Sequence, residues 1–154
     1  MNKGDHLPVA DHVLRYVKKG HVDAKGPKPR VATEAFLCRR GEQAASVDWM
    51  ERHPAPVQNQ CDCIRAEKRI KYEKKAKLAR LNVDAAKTLV LNNGKIDLKF
   101  IYDPLEPDTR FPKPQSSHTL INNMPEVETV VGQLVGALLR EIVKDHDIFD
   151  CAPD

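Results

Sequence analysis

An α+β fold is what this chain of 154 residues predicts: a single domain in which a mixed sheet packs against a long C-terminal helix, with a separate basic helix at its edge. Three observations lead there. Between Met124 and Asp145, the residues Val127, Val130, Val131, Leu134, Val135, Leu138, Leu139, Ile142 and Val143 recur at steps of three and four. That spacing makes a broad apolar helical stripe, which needs a sheet or other helices to cover. Short runs such as His12 to Val17 and Asp97 to Tyr102 alternate as half-buried strands do. A strand, helix, strand succession over residues 77–102 asks for a crossover that sets its two strands parallel.

Composition bounds the rest. The length suits one domain with a real core. Hydrophobic residues at 41% and charged residues at 31% keep the chain on the globular side of disorder. A formal net charge of +3 implies neither nucleic acid nor an acidic membrane. Its distribution is more telling, because residues 65–80 hold eight Lys or Arg against two Glu and leave −3 for everything else. Met1 to Asp5 precede no apolar run, so no secretory signal is expected. Glu128, Gln133, Arg140 and Glu141 interrupt the long helix and exclude a membrane span. Four cysteines in such a chain read as thiols, and the cytoplasm is the default compartment.

In order, residues 1–11 are polar and expected to be disordered, residues 12–148 form the domain, and residues 149–154 are a tail. His12 to Val17 is the first strand, with Val13, Arg15 and Val17 on one face. Lys18 to Arg30, with two Gly and two Pro, is a loop. Thr33 to Cys38 and Ala45 to Met50 supply two more strands, the latter with Val47 and Trp49 inward, and a meander through these three is the simplest topology. After the Pro54 and Pro56 break, a charged helix is expected from Asp62 to Lys75. Periodicity alone also allows one helix from Asp62 to Leu91, but Asn82-Val83-Asp84 reads as a break and favours the crossover. Lys77 to Val83 alternates as a strand, Asp84 suits the N-cap of a helix through Leu91, and Asn92-Asn93-Gly94 ends it. Asp103 to Gln115 has four prolines and is a loop. Residues 116–121 lead into the long helix, which Pro125 and Glu126 open, and Gly132-x-x-x-Gly136 allows it close packing.

Several pieces are shared with a known pattern. They are Leu7-Pro8, Asp11-His12-Val13 and Arg15-Tyr16-Val17, then Ala35-Phe36 ahead of an arginine and Gly41-Glu42. Ser46-Val47, Trp49 and Glu51 follow, with Asp103-Pro104-Leu105 and Ser117-His118 late in the chain. Together they resemble a family of small uncharacterised bacterial proteins. The likeness implies a bacterial accessory protein and carries no catalytic signature. Gln115-Ser116-Ser117-His118 departs from the Pro-Ser-His of that pattern, and the basic segment lies outside it.

The chemistry-bearing residues are few. Cys61-x-Cys63, with Cys38, Cys151, His53 and His146, is poorly spaced for zinc and lacks a second pair, so no metal or other cofactor is expected. Arg65, Lys68, Arg69, Lys71, Lys74 and Lys75 read as a solvated helix face, and as a phosphate-binding surface in the sharper alternative. G-x-S-x-G, P-loop, G-x-G-x-x-G and H-E-x-x-H motifs are all absent. The leading expectation is a non-enzymatic interaction or regulatory protein of a bacterial accessory operon, with a protein partner and with nucleic acid as a further contact. The alternative is a small enzyme acting on a nucleotide or phosphorylated ligand. It would be similar to ADP-ribosyltransferases in placing an arginine on a first strand and a serine on a later one, and would use Arg15, Ser46 and His118. Convergence of those three in a pocket would favour it. His118 alone is expected to pin its loop through a backbone bond.

Overall fold

Alternation along the chain makes six of its strands into one sheet with two covered faces. The computed structural model describes residues 1–23 and 25–150. Its strands are β1 (His12–Val17), β2 (Val22–Asp23), β3 (Arg30–Val31), β4 (Ala45–Trp49), β5 (Lys77–Asn82), β6 (Lys99–Tyr102), β7 (His118–Asn122) and β8 (Ile148–Asp150). The helices are α1 (Val57–Glu67), α2 (Val83–Gly94) and α3 (Val130–Ile142). The main sheet runs β6-β7-β4-β1-β5-β8, while β2 and β3 form a separate hairpin. The class is α+β, as expected.

Odd positions of β1 point one way and even positions the other. On one side Val13, Val17, Val47, Leu81, Phe100 and Ile121 meet Ala86 and Val90 of α2, Val135 and Leu139 of α3, and Phe36. On the other side Leu14, Met50 and Leu78 meet Cys61 and Ile64 of α1. The register Leu14↔Asp48, Asp48↔His118 and Ser46↔Leu120 places all five of these residues on the α1 face.

Several expectations need correction. Every ladder is antiparallel, so the sheet is not mixed. The strands β5 and β6 do run the same way, but β1, β4 and β7 lie between them. Residues 33–36 form a 3-10 turn rather than a strand and bury Ala35 and Phe36 against the core. The basic helix stops at Glu67: residues 68–76 are a loop, because their side chains are drawn to partners on three sides. The helix α2 is capped by Asn82, whose side chain accepts from Ala85 N at 2.9 Å, not by Asp84. His118 to Asn122 is an inner strand, not a lead-in to the helix. The C-terminal helix starts at Val130 behind a Thr129 cap, so Pro125 and Glu126 precede it. Residues 1–11 are not disordered. Gly4 N and Leu7 N donate to Tyr102 O and Phe100 O, and buried Leu7 closes that edge of the sheet. Of the tail, Phe149 and Asp150 belong to β8, and residues 151–154 lie outside the described residues.

Candidate functional site

Two polar regions stand out, one on the sheet and one on the loops that follow β1 and precede β5. On the sheet, β4 and β7 are neighbours, and their register carries Ser46 and His118 to within reach of each other. His118 is 8% exposed and Ser46 is exposed. The His118 Nδ1 lies 2.8 Å from the Asp103 carbonyl oxygen and 3.2 Å from Asp103 Oδ2. A carbonyl only accepts, which assigns a proton to Nδ1 and leaves Nε2 of the neutral ring as an acceptor. Nε2 faces Ser46 Oγ at 3.3 Å. Lys3 Nζ holds the Asp103 carboxylate from its other side at 3.3 Å.

Arg15 comes near this group without joining its chemistry. Its Nη1 donates to the Ser46 carbonyl at 2.7 Å and its Nε to the Ala35 carbonyl at 2.9 Å. Strand alternation puts the Arg15 side chain on the face opposite the Ser46 hydroxyl. Burial lowers the Arg15 pKa, opposed by Cys38. The three residues of the enzymatic alternative therefore converge around one strand, but Arg15 clamps backbone to backbone. Asp103 was missed from the sequence because Asp-Pro reads only as a turn.

Beside them lies a buried polar network. Asp48, 1% exposed, accepts Gln115 Nε2 and Ser117 Oγ at 2.9 Å each on Oδ1. Lys68 Nζ stands 2.9 Å from Oδ2 as an ion pair, without an aligned hydrogen bond there. Burial pushes the Asp48 carboxyl up, but Lys68, Gln115 and Ser117 together hold it below its ordinary value. Glu67 accepts from Ser116 N and Oγ and lies 3.6 Å from His53 Nε2, which has no hydrogen bond among the described residues.

The cationic residues divide by this network. Lys68 is spent on Asp48, Arg69 pairs with Asp108 at 3.3 Å and with the Glu106 carbonyl, and Arg65 pairs with Asp62. Tyr72 packs edge-on against Tyr16 at 5.3 Å, and Glu73 accepts Lys19 N at 3.0 Å. Lys71, Lys74 and Lys75 are left exposed between these anchors. The Glu73 bond sets Lys18 and Lys19, also exposed, next to them. None of these five lysines is in an ion pair among the described residues. Lys18 and Lys19 were missed because they lie far from the basic run in sequence, and the Val17↔Lys77 pairing is what joins the two loops.

The described residues form no group of three or more His, Cys, Asp or Glu side chains that could hold a metal ion. No helix among them is long and apolar enough to cross a membrane. No family model, curated protein or solved structure matches the chain.

Proposed function

We propose that this is an interaction protein that contacts nucleic acid through Lys18, Lys19, Lys71, Lys74 and Lys75. The observation that carries the proposal is the Glu73 carboxylate bonded to the Lys19 amide, which holds two lysine-bearing loops side by side. Each unpaired ammonium on a fixed scaffold can replace a counterion condensed on a phosphate backbone, and the released ions drive association. The other cations of the run face internal carboxylates, so the patch is smaller than the sequence implies and stands on loops, not on a helix. Such a surface reads phosphate, not base sequence.

Fluorescence anisotropy with labelled duplex DNA and with single-stranded RNA in low salt tests it. Wild-type protein should bind at least one of them. Lys71→Ala/Lys74→Ala/Lys75→Ala should bind at least about tenfold more weakly while melting at nearly the same temperature, since these side chains are exposed and form no ion pair among the described residues. No binding by the wild type in low salt would end the proposal.

A further inference from the structure

We infer that Ser46 is a nucleophile with His118 as its base and Asp103 as the residue that positions the imidazole, and that the group cleaves esters of short, apolar acyl chains. The inference is independent of the lysine patch. It rests on three features. The imidazole tautomer is the one a base requires: the Asp103 carbonyl at 2.8 Å fixes the proton on Nδ1, and Nε2 is aimed at the hydroxyl at 3.3 Å. That distance suits a resting site, where such contacts are looser than in the reacting complex. Ser46 is exposed while His118 is nearly buried, so a reactant reaches the nucleophile beside a ring that the fold holds in place. The acyl class comes from the register. Leu120 sits directly across from Ser46, and Ile101 across from Leu120, both half-buried on the same face. They make an apolar ledge beside the nucleophile, against which a short acyl chain would lie.

The step balances without a cofactor. Ser46 Oγ bonds to the acyl carbon as its proton passes to His118 Nε2. The ester C–O bond breaks, and the alcohol leaves with that proton. Water then attacks the acyl-serine, giving its proton to Nε2; the C–Oγ bond breaks, and Ser46 takes the proton back. The net change is ester plus water to acid plus alcohol, and the strand-borne ring moves one proton each way.

The experiment treats the full chain with a fluorophosphonate serine probe and, separately, with p-nitrophenyl acetate and p-nitrophenyl butyrate. One probe adduct is expected, mapped to Ser46 by peptide mass and absent from Ser46→Ala, which removes only an exposed hydroxyl. Butyrate should turn over faster than acetate, and Ser46→Ala should reduce both rates by about 100-fold or more. Asp103→Asn, which keeps the backbone carbonyl on Nδ1, should slow labelling without moving the adduct elsewhere. If wild type and Ser46→Ala take up the probe and turn over ester equally, Ser46 is no nucleophile. If acetate and butyrate react at the same rate, the ledge does not select the acyl chain.

Discussion

Single residues show where this fold spends charge. Asp48 and Lys68 are the innermost pair, and only because Gln115 and Ser117 satisfy the same carboxylate does the cluster tolerate burial. Lys68→Met would strand that carboxylate and should lower stability by about 3–5 kcal/mol in a urea titration. Adding Asp48→Asn should recover much of the loss, which a merely bulky lysine would not allow. His53 gives a pH signature. Burial lowers its pKa below the 6.5 of a free imidazole; Glu67 and Asp48 oppose this and Arg52 adds to it. The unfolded chain thus takes up a proton near pH 6.5 that the folded chain resists. The stability from neutral His53 is complete above that pH and is lost as pH falls through the folded value. Melting temperatures measured from pH 7.5 down to 5 should decline less steeply for His53→Gln than for wild type.

Elements fail or form by who covers them. Asn82 ends β5, caps α2 and reaches the carbonyl of Ala10, so Asn82→Ala should cost about 1–2 kcal/mol in the same titration. A methyl at Gly136 would lie 2.6 Å from Leu37 Cδ2 and 3.2 Å from the Thr33 carbonyl. Gly136→Ala should therefore destabilise by about 1–3 kcal/mol, although alanine is the better helix former. The spacing of Gly132 and Gly136 predicts close packing, but Gly136 approaches the 33–37 turn and Gly132 the Glu126 carbonyl just before its own helix, not the sheet. Periodicity found β1, β4, β5 and α3, whose apolar faces are regular. It overran α3 at both ends: Val127 precedes the helix, and Val143 is its C-cap. Charge spacing suggested a helix over residues 68–75, but anchoring by Asp48, Asp108, Tyr16 and Lys19 N prevails over helical propensity there. Those partners are distant in sequence, so no local pattern could show them. Tertiary pairing also explains why scattered short motifs belong together: Asp11 accepts the Trp49 indole at 2.8 Å, Glu51 meets His12 at 3.1 Å, and Ser46 meets His118.

At the scale of the whole molecule, a nearly neutral protein gathers at one place five exposed lysines that have no ion pair among the described residues. Asp48, Glu67 and Asp108 are occupied within the fold by Lys68, Ser116 and Arg69, so the loops after β1 and before β5 retain an excess of positive charge that a net charge of +3 conceals. The central claim is that these five lysines bind phosphates, and salt tests it most directly. A plot of log binding constant against log salt for duplex DNA should be linear, with a slope set by the number of phosphates neutralised, about −0.9 for each. Five engaged lysines give roughly −4 to −5 for wild type, and Lys71→Ala/Lys74→Ala/Lys75→Ala should bring the slope to about −2. Equal slopes for the two proteins, or an affinity indifferent to salt, would contradict the claim.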